Sequence, residues 1–197
     1  KTVFLLQLAS GRRVSWTHAL NTDRGFTRFD QGGVTFVPYL AYEKTQTSFR
    51  SSEPIYMASL KNFSPDDKVH CPVRALKFYL KRAEPVRGPE KATFLTSIEP
   101  HQRASKNTVS SWIKSVIQDA YKAGQEDLPE NVDMRAHSTR KTAASWAHCA
   151  GISIEEIMLA ADWKRQYTFA SFYLSRLALD KSRFSTGVVT TAAASLR

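Results

Sequence analysis

Residues 24–60 constrain the fold of this chain more than any other stretch. "GFTRFDQGGVTFVPYLAYEKTQ" and "EPIYMASL" are rich in Phe, Val, Thr and Tyr and are interrupted by Gly32-Gly33 and Pro54. β-Branched and aromatic side chains suit a pleated, half-buried surface, and a glycine pair between two such runs marks a hairpin. A small antiparallel sheet is expected here, with its turn at the glycines. Elsewhere the apolar period is mostly that of a helix. "TVFLLQLAS" reads as a buried helix ended by Gly11, and "RVSWTHALN" as a short helix directly after it. "PVRALKFYLKRAE" is a helix with Pro72 in its first turn and Val73, Leu76 and Leu80 on one face. Val109, Trp112, Ile113, Val116 and Ile117 recur at amphipathic helical spacing. "ATFLT" reads as a lone short strand, and "GQEDLPENVD" as a polar loop. Closely spaced helices follow over 137–150, 153–161 and 167–178, with Ser153 and Glu156 forming a capping box after Gly151. The fold class expected is α+β, mostly α: a helical bundle with a small antiparallel sheet on one side.

The chain has 197 residues, enough for one domain with a proper core. Its 28 Lys and Arg against 18 Asp and Glu leave a net charge of +10, which favours a polyanionic partner, nucleic acid first and an anionic membrane second. No apolar run approaches the ~20 residues of a membrane span. "KTVFLLQLAS" is too short for a signal peptide and leads straight into "GRR". Starting at Lys1, the chain is expected to be excised from something longer. Cys71 and Cys149 do not suggest a disulfide framework or a zinc site, which fits a reducing compartment.

Most catalytic chemistries find no support. There is no G-x-S-x-G elbow, and Cys149, read as lying mid-helix, is expected to be a small buried thiol. The five histidines include no H-E-x-x-H, no acidic cluster has ligand spacing, and no glycine loop matches a phosphate-binding pattern. No metal and no cofactor is expected. The basic constellations differ. "SGRRVS" places Arg12 and Arg13 at a helix start, where backbone N–H groups favour an anion. In "AHSTRK", His137 and Arg140 are three apart and are expected to project from one helix face, with Lys141 beside them. An arginine fork grips two phosphate oxygens, and a histidine next to it can move a proton. Taken alone, each motif fits a solvated basic face. The third element is "ADWKRQYTFASFYLSRL", an aromatic helix in which Trp163, Phe169, Phe172 and Tyr173 also fit a core. Yet a tyrosine beside an arginine-rich pocket can serve as a nucleophile.

These blocks, in this order, resemble the catalytic domain of the tyrosine recombinases, the phage-integrase family. "LASGRRVSWTHAL" looks like the family's first arginine block and puts that arginine at Arg13. "LAYEKTQ" looks like its hairpin and suggests Lys44 as the catalytic lysine, with Lys61 the competitor. "AHSTRKTAASW" supplies His137 and Arg140, and "AADWKRQYTFASFYL" supplies Trp163 and Tyr173, with Tyr167 a second choice. "CPVRALKFYL", "SKNTVSSWI" and "ISIEEIMLAADW" look most like recombinases of DIRS- and Ngaro-type retrotransposons. Some positions depart from the pattern: Trp16 stands where Glu is common, Thr139 where Leu is, and Trp163 where His is usual.

The resemblance spans residues 1 to about 180 and implies the recombinase fold there, a tail over 181–197 that is mobile or docks on a neighbouring subunit, and an N-terminal clamp domain outside this chain. It also implies that Tyr173 attacks a DNA phosphodiester to leave a 3′-phosphotyrosine bond and a free 5′-hydroxyl. Arg13 and Arg140 would hold the non-bridging oxygens, and His137 would relay the tyrosine's proton. Lys44 would protonate the leaving oxygen, and Trp163 would pack on the site. Arg12, Lys106, Lys114, Lys141, Lys164 and Arg165 are the candidates for contacts to duplex DNA. The implied partners are double-stranded DNA and further copies of the chain, a tetramer on DNA, in the nucleus. A DNA-binding module without catalysis, and a type IB topoisomerase that swivels strands, are the rival readings.

Overall fold

An apolar run without a turn residue forms the first helix, α1 (Thr2–Ser10), in a computed structural model that describes residues 1–37, 54–60, 67–124 and 136–163. α1 buries Val3, Leu5 and Leu6 together with the polar Gln7 and Ser10. It ends where expected, at Gly11, whose φ of +60° is the left-handed conformation that favours glycine. The short α2 (Val14–Ala19) follows at once, with Arg13 as its extended N-cap.

The expected sheet is present. Its three strands, β1 (Thr27–Phe29), β2 (Gly33–Phe36) and β3 (Ile55–Ala58), pair antiparallel in sequence order. Phe29 faces Val34 across the first pair, and Gly33 faces Ala58 across the second. The turn is built by Asp30, whose Oδ1 accepts from the backbone N–H of Gly32 at 2.6 Å and of Gly33 at 2.7 Å. Gly33 is required for a second reason: a Cβ there would sit 2.2 Å from the Met57 carbonyl oxygen of the neighbouring strand.

A 3-10 turn (Asp67–His70) leads into α3 (Pro72–Arg87). Cys71 caps it, its sulfur accepting from the Arg74 N–H at 3.4 Å. Burial pushes the Cys71 thiol up, but donors from Arg74, Leu60, Ser59 and Val73 outweigh that and leave it below the ordinary value. α3 runs past the Glu84 end expected from sequence and includes Pro85. A proline in the last turn removes a single helical hydrogen bond. The Arg87 guanidinium then holds the helix end by donating to the carbonyls of Ala92 and Thr93. "ATFLT" does not form a strand. Its neighbours are the end of α2 and its own returning loop, so it makes isolated bridges, Asn21 with Ala92 and Leu95 with Arg103.

The remaining described helices are α4 (Lys106–Ala123), α5 (Ala136–Cys149) and α6 (Ile154–Ala161). Ser153 and Glu156 form the expected capping box of α6. One core joins helices and sheet: Val3 and Leu6 of α1, Trp16 of α2, Val34, Phe36 and Met57 of the sheet, Val73 and Leu76 of α3, and Val109 and Ile113 of α4. Trp16 meets Phe36 edge-to-face at 5.4 Å. The fold is therefore α+β, mostly helical, with a small antiparallel sheet. Cys149 departs from expectation. It is the last residue of α5 and is exposed, because it lies five residues past the buried Ala144 and turns away from that face. No helix among the described residues is long and apolar enough to cross a membrane.

The chain divides into two compact units, Lys1–Asp162 and Trp163–Arg197. Of the second, only Trp163 is described. The helix expected over 167–178 and the tail from 181 lie outside the described residues, as does most of the loop read from "GQEDLPENVD".

Candidate active site

The site begins with a polar residue inside an apolar helix. Gln7 is fully buried, yet both ends of its amide are used. Its Oε1 accepts from the Thr17 hydroxyl at 2.5 Å, and its Nε2 donates to the Arg12 carbonyl. One buried side chain thus ties α1 to α2 and fixes the backbone that carries the two arginines. Gly11 completes the turn: a Cβ placed there would lie 3.4 Å from Ala161 Cβ and 4.0 Å from Ala143 Cβ, so the end of α1 sits close against α5 and α6.

The adjacent arginines are held differently. Arg12 Nη1 lies 3.7 Å from Asp162 Oδ2, and the arginine side chain is only 11% exposed. Asp162 follows α6 in the left-handed conformation, φ 55°, which aspartate tolerates better than most residues. Arg13, one residue on, is exposed.

α5 brings the second group. Its buried positions are Ala136, Thr139, Arg140 and Ala144, and it packs against α1, α4 and α6. The Thr139 hydroxyl donates back to the Ala136 carbonyl at 2.6 Å, inside the helix. His137, in the first turn, is exposed. Arg140 is 1% exposed, the largest fully buried side chain among the described residues. His137 and Arg140, three apart on α5, thus differ in exposure, the histidine exposed and the arginine buried. Arg140 lies in the second turn of α5, which packs against α1, α4 and α6, and His137 lies in its first turn. Lys141 is half-buried.

These elements enclose a cleft of about 390 Å³ lined by Gln7, Arg12, Arg13, Val14, Ser15, Lys106, Ala136 and His137. Lys106 is the first residue of α4, after the Ser105 N-cap, whose hydroxyl accepts from Thr108 N–H at 3.1 Å. Three cations and an imidazole thus converge, and no carboxylate is among the described lining residues. His18, one turn along α2 from Ser15, has its carbonyl bound by Arg103 Nη1 at 2.8 Å. Burial, then the charges of Arg103 and Lys106, hold its imidazole below the ordinary value.

Of the residues expected from sequence, Arg12, Arg13, Lys106 and His137 are brought together. Arg140 lies on the same helix as His137 but within the packing, and Lys114 is exposed on α4 away from the cleft lining. Trp163 is half-buried. Lys44, Lys61, Lys164, Arg165, Tyr167 and Tyr173 lie outside the described residues. Gln7, Asp162 and His18 went unnoticed in the sequence. Only Gln7 carried a signal, as a lone polar residue within "FLLQL". Among the described residues, no group of His, Cys, Asp and Glu has the arrangement of a metal site. Compared with models of known protein families and with curated proteins, the chain matches none of them.

The cleft's chemistry is that of an oxyanion receptor. Arg13 offers a fork of donors, Lys106 a point charge, and His137 an imidazole able to donate or accept a hydrogen bond.

Proposed function

We propose that this chain is the catalytic domain of a tyrosine recombinase, over residues 1 to about 180, and that the cleft receives the scissile phosphate of duplex DNA. The observation that carries the reading is convergence. Arg12 and Arg13, Lys106, and His137 come from three separate parts of the sequence and line one cleft. The motifs "SGRRVS" and "AHSTRK", chosen for their resemblance to recombinase blocks, are two of those three parts.

In this reading Tyr173 attacks the phosphorus, forming a 3′-phosphotyrosine bond as the bond to the 5′-oxygen breaks. His137 takes the tyrosine's proton, and Lys44 gives one to the departing oxygen. Arg13 and Arg140 stabilise the charge on the non-bridging oxygens. Arg140 acts from a buried position, where a lower effective dielectric strengthens its field. The bond energy is kept in the phosphotyrosine, so the reverse attack by a 5′-hydroxyl rejoins the strand. Lys106, Lys114, Lys141, Lys164 and Arg165 serve the DNA backbone, and Arg12 does so while paired with Asp162. Four copies assembled on duplex DNA exchange strands, in the nucleus, to integrate a mobile element.

The test is covalent trapping. Wild type, Tyr173→Phe and Tyr167→Phe are incubated with nicked duplexes that release the cleaved end, then denatured in SDS. Adducts on a 3′-phosphate in wild type and Tyr167→Phe, but not in Tyr173→Phe, are expected. Adducts that persist in Tyr173→Phe would remove the nucleophile assignment.

A further inference from the structure

The outer face of α3 carries a second group of cations that the cleft does not use. α3 buries Val73, Leu76 and Ala83 and packs on α1, with Tyr79 and Leu80 half-buried on the same side. On the opposite side Arg74, Lys77, Phe78, Lys81 and Arg82 are all exposed. Their offsets of 3, 4, 7 and 8 from Arg74 place them in one stripe along the helix. Phe78 lies in the middle of that stripe and is 66% exposed. None of these residues lines the cleft.

We propose that this stripe is a binding surface for single-stranded nucleic acid, with Phe78 as a stacking platform for a base. Three observations support that occupant over other anions. First, the cations are strung along a line. From Arg74 to Arg82 the helix rises about 12 Å at 1.5 Å per residue, a length suited to following several phosphates rather than enclosing one. Second, a large ring is left in water between cations on both sides, and strand-binding surfaces combine these two features: a positive track for the backbone and an aromatic face for a base. A duplex keeps its bases stacked and has no use for an exposed ring beside its backbone. A lipid surface calls for a broad apolar sector, whereas Phe78 is flanked by charge. Third, the stripe has a fixed edge. Lys77 Nζ sits 5.2 Å over the ring of Phe29 in β1, a cation–π contact that anchors one cation of the row to the sheet. The only acid on the helix, Glu84, lies beyond the row.

This surface does not depend on the chemistry of the cleft, so either reading can fail alone. The test is fluorescence anisotropy of the full chain with labelled oligo(dT), an abasic strand of equal length, and a duplex of equal length. Phe78→Ala is expected to weaken oligo(dT) binding about five- to hundredfold, the effect of removing a stacking ring. It should leave the abasic strand and the duplex unchanged, and Phe78→Trp should restore oligo(dT) binding. The double variant Lys81→Glu/Arg82→Glu is expected to weaken both single strands and to lower the salt slope by about 2 or more. Arg13→Ala should not alter the Phe78-dependent part. Melting curves matching wild type would show that these exposed substitutions leave the fold intact. Oligo(dT) binding insensitive to Phe78→Ala would overturn the proposal. So would an equal loss on the abasic strand or on the duplex.

Discussion

The cleft and the outer face of α3 are both basic, and they are built in opposite ways. In the cleft, positive charge converges from the α1–α2 junction, the start of α4 and the start of α5, and buried or half-buried groups fix it: Gln7 behind the arginine backbone and Asp162 against Arg12. On α3 the cations lie along a single helix, and four of them are exposed, one with its ammonium over the Phe29 ring. Convergence with buried support makes a receptor for one anion held in one orientation. Periodicity on a solvated face makes a track that tolerates sliding. Charge alone does not distinguish the two, but the number of distant segments that must fold to assemble each one does.

Substitutions that separate charge from support sharpen this contrast. The largest effect on chemistry is expected from Arg13→Ala. An exposed arginine contributes little to folding, so the melting temperature should stay within about 2 °C. Covalent adduct formation should nevertheless fall about a hundredfold or more, as when a group stabilising a transition-state oxyanion is lost. Arg140→Ala should break the same chemistry and the fold with it. Emptying the site of the largest fully buried side chain is expected to cost about 2–4 kcal/mol, or roughly 10 °C in melting temperature. Unequal melting temperatures for the two arginine variants would show which side chain is support and which is tool; equal ones would break the contrast.

Gln7→Leu is the next smaller step. It preserves volume but leaves the Thr17 hydroxyl without its acceptor, at about 1–3 kcal/mol. Adduct formation should fall further than this stability loss explains, because the backbone of Arg12 and Arg13 loses its tether; a thermal melt beside the trapping assay separates the two. Asp162→Asn keeps a residue that tolerates the left-handed conformation and removes the carboxylate facing Arg12. The lost ion pair is expected to be worth at most about 1 kcal/mol at its partly exposed position. Duplex affinity at low salt should rise, because the cleft gains one net positive charge.

The smallest effect concerns His18. Folding holds its imidazole below the ordinary value of 6.5, so as pH falls through that value the unfolded chain takes up a proton that the folded chain resists. Its stability contribution is complete above about pH 6.5 and is lost as pH drops further, through the folded value. His18→Gln should therefore flatten the decline in denaturant midpoint between about pH 7 and pH 5.

Much of this architecture was legible in the sequence, because local physics wrote it. The left-handed Gly11, the hairpin at Gly32-Gly33, the capping box at Ser153 and Glu156, and the apolar spacing from Val109 to Ile117 each act within a few residues. What was not legible depends on distant packing. The spacing of His137 and Arg140 places them near one another on a helix, but it does not say that one is buried and the other exposed. A mid-helix position beside Ala147, His148 and Ala150 suggests a buried Cys149, but α5 ends at that residue and it is exposed. α3 continues through Pro85 because Arg87 finds two carbonyls in a loop that no local pattern announces. Asp162 meets Arg12 across 150 positions of sequence, a pairing beyond any local rule.

The most direct test of the central claim places both basic regions in one trapping assay. Wild type, Arg13→Ala and Lys81→Glu/Arg82→Glu are incubated with the same nicked duplex, denatured in SDS, and scored for protein attached to a 3′-phosphate. The cleft assignment requires adducts in wild type, their loss in Arg13→Ala, and their retention in the α3 double variant. Adducts retained in Arg13→Ala, or lost only in the α3 variant, would place the chemistry elsewhere and contradict it.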